Sequence, residues 1–360
     1  MHTYFLGLSL VGYDALWGRM IRSGVAGSVG SVKRKGTFPN GDVLRTSFTG
    51  ISGFDQFLVP AVIFYNNILS NGSSADRMLL VSLFTTMQTV SHCMLVLGWD
   101  RGKRPPLAIL EHLSWGVFNQ AWGAAAVYPL YCFTHIERLL DNAHGSEEES
   151  EVGPSDSSEA CALIPTAILG AITPAMLLYP AFNSSCTTSQ RQGLIAFYRF
   201  TPLALASAHP VCCWAQKKLS AYLAWKPAPG SAKAYTMASL MLSGFAAAAG
   251  HLWALLGPSG GGLRRVFWPA EYIDNASTTV IADGARDFLQ WDIFVITAAL
   301  VPFADQVLKS SALLHRLKRR KWFSTVVDSF IGRMAVLTVA SGILSPGAVL
   351  ALSLALKMGS

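Results

Sequence analysis

An all-α, polytopic transmembrane helical bundle of about eight spans is the fold class this sequence predicts, and two observations predict it. Of the 360 residues 51% are hydrophobic and only 14% charged, against about 25% charged in soluble globular domains, and mean hydropathy is +0.37. The apolar residues also gather into runs long enough to cross a hydrocarbon layer of about 30 Å, separated by short charged or Gly/Ser-rich loops. Residues 1–360 therefore read as a single membrane domain, with no soluble domain attached.

Residues 1–53 open with an apolar helix, interfacial or a short extra span, and continue into a basic loop, SGVAGSVGSVKRKG, whose composition predicts flexibility. The N-terminus lacks a basic leader and a convincing cleavage site, so it is not read as a removed signal peptide. Spans follow at about 54–70, 77–99, 111–137, 160–182, 193–215, 233–256, 287–312 and 329–355. Residues 138–159 carry the acidic run GSEEESEVGPSDSSE, which has no apolar period and is expected to be a disordered linker.

The third span, Glu111 to Glu137, organises the rest. Some twenty-five uncharged residues lie between its ends, yet Asn119 and Gln120 sit among Trp115, Phe118 and Trp122. An amide in hydrocarbon without a partner costs on the order of kilocalories, so these groups are expected to face the inside of the bundle. Gly123 to Ala126 admit a neighbouring helix closely, and Pro129 is expected to bend the span.

The net charge of +7 resides in short loops between spans, which favours orientation and anionic lipid over a nucleic-acid partner. Basic loops fall on both sides of simple alternation, so the charge rule gives no consistent sidedness. Three sequons, Asn71, Asn183 and Asn275, mark possible N-glycosylation if they face the lumen. The six cysteines form no CxxC pair, and histidines occur singly, so neither a zinc site nor a disulfide framework is indicated.

GxGxxG, Walker and GxSxG motifs are missing. Asp283 and Asp287 form an isolated D-x-x-x-D, a weak signal for Mg²⁺ and diphosphate. What remains is a set of carboxylates within or at the edge of spans: Asp55, Glu111, Asp292 and Asp305. A charge at the bilayer centre costs roughly 3 kcal/mol, so such acids tend to be protonated or paired. A protonated acid in a dry pocket is a proton donor; the blander reading is an interface marker. Asp292, one turn into an apolar run beside Trp291 and Phe294, is the best placed, and Arg199 is a candidate counter-ion for one of the acids. Trp115, Trp122, Tyr128, Tyr198 and Trp291 supply π faces able to steady a cation, although aromatic stripes in spans more often serve packing or lipid belts.

Three stretches, TSFTGISGFDQFLVPAVIF at 46–64, GAAAVYPLYCFTHIE at 123–137 and FLQWDIFV at 288–295, resemble fungal integral membrane proteins that include the terpene cyclases of meroterpenoid pathways such as ascochlorin and ascofuranone biosynthesis. The resemblance implies a multi-pass protein of the endoplasmic reticulum membrane, needing neither metal nor cofactor. It implies a cyclase that protonates the epoxide or alkene of a prenyl chain on an aromatic head, such as an epoxyfarnesyl substrate, and guides the cation through ring closure. The acids matching the family's catalytic pair would be Asp292 and Glu111, or Asp55 in an orienting or accepting role. Trp115, Asn119, Gln120, Trp122, Tyr128, Tyr198 and Trp291 would bind the substrate. A transporter and a non-catalytic membrane scaffold are the alternatives from other classes.

Overall fold

The computed structural model describes residues 1–70, 73–99, 105–141, 152–223, 227–228, 230–257, 262–269, 273–274, 277–309, 311 and 328–359. Among them the architecture is all-helical, with one isolated bridge between Thr37 and Val43. The N-terminal segment comprises α1 (His2–Tyr13), a π-helical turn (Asp14–Gly18), α2 (Arg19–Arg22) and α3 (Val25–Lys35). There follow α4 (Ser52–Ser70), α5 (Ser74–Gly98), α6 (Pro105–Trp122), α7 (Ala124–Asp141), α8 (Ser157–Ile172) and α9 (Pro174–Phe182). The chain continues through α10 (Thr188–Tyr198), α11 (Thr201–Leu223), α12 (Ala232–Leu256), α13 (Gly262–Phe267) and α14 (Val280–Lys309), and ends with α15 (Phe330–Leu344) and α16 (Pro346–Met358).

Among the described residues, four helical stretches are long and apolar enough to cross a membrane: Ser74–Gly98, Ser157–Phe182, Ala232–Leu256 and Val280–Lys309. A fifth is reached if α15 and α16, bent by 119° at Ser345, count as one. The expected eight spans are thus reduced to four or five, because several expected runs are interrupted. The Glu111–Glu137 run breaks at Gly123, whose φ of +88° suits glycine, whereas α7 continues through Pro129. The 193–215 run breaks after Tyr198, and Pro202 sits in the first turn of α11. Ser345 ends α15 with φ of +92°, and its Oγ accepts from the Ala348 N–H at 3.1 Å to open α16. Large apolar side chains such as Leu256, Ile331, Val339 and Trp214 remain exposed on the outer helices, the surface that lipid covers in a membrane bundle.

The basic stretch expected to be a flexible loop is helical from Val25 to Lys35. Gly24 and Gly36 bound it in left-handed conformations (φ +74° and +69°), and Val25 and Val32 bury themselves in the core. Val25 fits against Gly284 of α14, where a Cβ would approach it within 2.5 Å. Residues 142–151 of the expected acidic linker lie outside the described residues, as do Asn71 and Asn275, whereas its ends enter α7 (to Asp141) and α8 (from Ser157), the latter capped by Asp156 Oδ1, which accepts from Ser158 N and Glu159 N. Of the three sequons Asn183 is described, its Oδ1 accepting from Ser185 N and Oγ.

Helix α14 is the centre of the molecule, packing against α4, α7, α15 and α16. Its ionised groups are matched by neighbours. Arg19 of α2 donates to Asp287 at 2.9 Å, Arg286 donates to the buried Asp76 of α5 at 2.5 Å, and Arg333 of α15 donates to Asp305 at 2.6 Å. Low dielectric strengthens such pairs only because each has a partner, and breaking one costs about 3–5 kcal/mol.

Small residues let the helices close on one another. The N-terminal helix α1 lies on α7 and α14: Ser9 Oγ donates to the Ala126 carbonyl at 2.7 Å and Tyr4 Oη to the Ala298 carbonyl at 2.8 Å. Between them, a Cβ on Gly12 would lie 2.1 Å from the Ala125 carbonyl oxygen, whereas one on Gly7 would meet nothing within 4 Å. Gly12→Ala is therefore expected to destabilise the protein by about 2 kcal/mol or more through overpacking, while Gly7→Ala is neutral or slightly stabilising. Thermal melting of the two variants in detergent checks the contrast.

Candidate active site

A cavity of about 470 Å³ opens where α4, α5, α6, α10, α11 and α14 meet the N-terminal segment, a size suited to a small organic ligand. Helical periodicity builds its walls. Phe57, Pro60, Ala61, Phe64 and Tyr65 share one face of α4; Phe84, Met87, Gln88 and Ser91 share one of α5; His112, Gly116, Asn119 and Gln120 share one of α6. These are the i, i+3, i+4, i+7 spacings of a single helical stripe.

Six aromatic side chains form a continuous wall. Trp17 meets Phe288 at 5.8 Å between ring centroids, Phe288 meets Phe64 at 5.3 Å, Phe64 meets Tyr65 at 5.0 Å, Tyr65 meets Phe84 at 6.0 Å, and Phe84 meets Tyr198 at 5.4 Å. Most of these contacts are edge-on, the arrangement that aromatic quadrupoles favour.

The cavity surrounds the break between α6 and α7, and opposite charges hold the two sides of that break. Asp292, 2% exposed, accepts from the Ala125 N–H at 2.7 Å, occupying the N-terminus of α7. Arg199 donates through Nη1 to Gln120 Oε1 and through Nη2 to the Gln120 carbonyl, both at 2.5 Å, in the last turn of α6. A carboxylate at a helix N-terminus and a cation at a C-terminus both complement the helix dipole. The Tyr65 hydroxyl lies within electrostatic reach of both charges.

The three acids singled out from the sequence do not converge. Asp292 is on the cavity wall; Asp55 and Glu111 are not. Asp55 is spent on the loop before α4: its Oδ1 accepts from Phe48 N, Thr49 N and Thr49 Oγ1 at 2.8–3.1 Å, and its Oδ2 from Gly50 N at 3.2 Å. Glu111 meets His135 Nε2 at 2.7 Å, and the His135 ring stacks on Tyr131 at 4.0 Å. Arg199 pairs with no carboxylate among the described residues, so the counter-ion expectation gives way to its grip on Gln120.

Of the residues expected to bind substrate, Asn119, Gln120 and Tyr198 line the cavity, and Trp115, Trp122, Tyr128 and Trp291 do not. Trp115 packs edge-on against Tyr131 at 5.4 Å. Trp122 is half exposed, though its carbonyl accepts from Trp17 Nε1 at 2.9 Å. Tyr128 is buried with its hydroxyl donating to the Met87 carbonyl at 3.3 Å, and Trp291 stacks under the Arg19 guanidinium at 5.4 Å. The residues missed are chiefly Phe57, Phe64, Tyr65 and Phe84, together with Trp17 from the N-terminal segment; the stripe on α4 was the signal available in sequence.

The D-x-x-x-D pair is divided between arginines, Asp287 with Arg19 and Asp283 with Arg286 at 2.9 Å. Neither aspartate lines the cavity. Among the described residues no three His, Cys, Asp or Glu side chains gather closely enough to hold a metal ion.

Residues 1–354 match the family described as CtvD domain. The chain belongs to the CtvD domain family. It is 33% identical to the terpene cyclase alnG of Emericella nidulans, over 97% of this chain and 91% of that one. It is 25% identical to the terpene cyclase DEP1 of Alternaria brassicicola, over 99% and 97% of the two chains. The DEP1 terpene cyclase of Fusarium langsethiae is also 25% identical, with the same coverage. No solved structure matches. The resemblance drawn from the three sequence stretches to fungal terpene cyclases thus holds over nearly the whole length of this CtvD-domain chain.

Removing the Asp292 acceptor should loosen the start of α7. Asp292→Ala is expected to melt below Asp292→Asn by the equivalent of about 1–2 kcal/mol, because the asparagine oxygen still accepts a backbone N–H and alanine leaves the amide unpaired. Differential scanning fluorimetry of the two variants in detergent measures the gap.

Proposed function

We infer that this chain is a terpene cyclase embedded in a membrane, of the kind that serves fungal meroterpenoid biosynthesis, acting on the prenyl chain of an aromatic-headed, epoxyfarnesyl-like substrate. One observation carries the reading: Asp292, alone of the three acids singled out from the sequence, stands on the wall of a cavity lined by an unbroken row of aromatic rings.

In this reading the Asp292 carboxyl gives its proton to the oxygen of a terminal epoxide, or to a terminal alkene carbon. The C–O bond breaks as an internal alkene supplies the electron pair for the first new C–C bond, and the positive charge moves along the chain. The faces of Phe64, Tyr65, Phe84 and Phe288 attract that charge and exclude water that would trap it. Transfer of a proton from carbon, returned in the end to the Asp292 carboxylate, restores the alkene and the acid, so the overall change is an isomerisation without net redox. Because α7 presents the Ala125 backbone amide to Asp292, the carboxylate left after proton donation is stabilised where it forms.

Glu111 and Asp55 act at a distance from the reacting chain, Glu111 by fixing α6 to α7 through His135 and Asp55 by shaping the loop that feeds α4. The endoplasmic reticulum membrane is the proposed location. Eight crossings require the interrupted pairs α6/α7, α8/α9, α10/α11 and α15/α16 each to span the bilayer as a unit beside α4, α5, α12 and α14. The transporter and scaffold alternatives draw no support from relatives named as cyclases.

The test is turnover in microsomes supplied with an epoxyfarnesyl aromatic substrate. Asp292→Asn is expected to lower the cyclisation rate by about 10²–10⁴-fold at unchanged folded yield, the usual scale of general acid catalysis. Glu111→Gln is expected to keep its rate within about tenfold of the unaltered protein. Equal losses in both variants would remove Asp292 from its assigned role.

A further inference from the structure

The cavity holds a cation that the cyclisation chemistry leaves unused. A guanidinium carries five N–H donors; Arg199 commits Nη1 and Nη2 to Gln120, both acceptors uncharged, while its Nε is buried with no hydrogen-bond partner among the described residues. Around it the same wall carries further unmatched polar atoms: Asn119 Oδ1 and Gln88 Oε1 are buried without partners among the described residues. The amide groups of both side chains can turn either end towards a ligand. The Tyr65 hydroxyl, within electrostatic reach of Arg199, has no hydrogen bond to any described residue. A full positive charge surrounded by neutral acceptors in an apolar site is costly unless an anion completes it.

We propose that Arg199, with Asn119 and Tyr65, forms the recognition site for an ionised oxygen on the substrate's head group, so that the protein takes an acidic-headed chain rather than a neutral lipid. The proposal rests on the cavity being the substrate site. Bound this way, the head sits against Arg199 and Tyr198, and the hydrocarbon tail follows Phe84, Tyr65 and Phe64 to Phe288, one helical turn from Asp292. The reactive end then meets the acid while the head oxygen meets the guanidinium. Planar guanidinium groups suit this task because they present a fork of donors to two oxygens at once.

The experiment measures binding, not turnover, so that it stands apart from the cyclase assignment. The protein is reconstituted in nanodiscs of zwitterionic lipid and titrated calorimetrically with 4-dodecyloxybenzoate and with its uncharged methyl ester, whose saturated chains cannot cyclise. The expected result is at least about tenfold tighter binding of the acid, the usual return on a charge-assisted bidentate contact. Arg199→Gln should abolish that preference, and Arg199→Lys should keep part of it. Asp292→Asn, predicted to stop turnover, should retain the preference. An acid-to-ester ratio near one in the unaltered protein overturns the proposal, as does a preference that survives Arg199→Gln. Should Arg199→Gln not fold, the ratio in the unaltered protein and its reduction in Arg199→Lys decide.

Discussion

The arrangement depends on one break in one helix and on the acid and the cation that hold it open. Gly123 takes a backbone conformation that ends α6 and starts α7, which exposes carbonyls on one side and amides on the other. Unpaired in a membrane interior, each such group would cost several kilocalories. Arg199 reaches the Gln120 carbonyl and Asp292 reaches the Ala125 amide, so the break becomes a polar centre with a cation and an acid on its two sides. An acid and a cation are thereby brought to the same hollow without pairing with each other.

That separation distinguishes Asp292 from the other aspartates of the bundle. Asp76, Asp283, Asp287 and Asp305 each face an arginine. Asp292 faces backbone dipoles and the open cavity instead. The ion pairs on α14 have the complementary task of fixing that helix against α2, α5 and α15, so that the position of Asp292 is set by contacts on several sides of the axis.

The N-terminal segment belongs to the site as well as to the scaffold. Close packing at Gly12 and Gly284 presses α1 and α3 onto α7 and α14, and Trp17, Met20, Ala26 and Val29 then close one wall of the cavity. In a terpene cyclase such a wall keeps water from the cation. A basic Gly/Ser-rich stretch carries little sign of this in sequence, because its few valines become core residues only when helices far along the chain offer glycine to receive them.

Composition and run length were enough to establish an all-helical, apolar chain, and short stretches around Asp55, Pro129 and Asp292 were enough to suggest its kinship with terpene cyclases. Asp292 itself was legible, because an acid one turn inside an apolar run is costly wherever the chain folds. Three further matters were decided by tertiary structure. Asp55 and Glu111 resemble Asp292 in sequence, yet a loop of amides and a histidine claim them. The aromatic residues that line the cavity come from α4, α5, α10, α14 and the N-terminal segment, and not from the tryptophans of α6, since a helix shows only one stripe inward and its neighbours choose which. The long run from Glu111 to Glu137 became two helices because a glycine conformation, an arginine from α10 and an aspartate from α14 meet there, and no local pattern records a meeting between residues that are 79 and 167 positions apart.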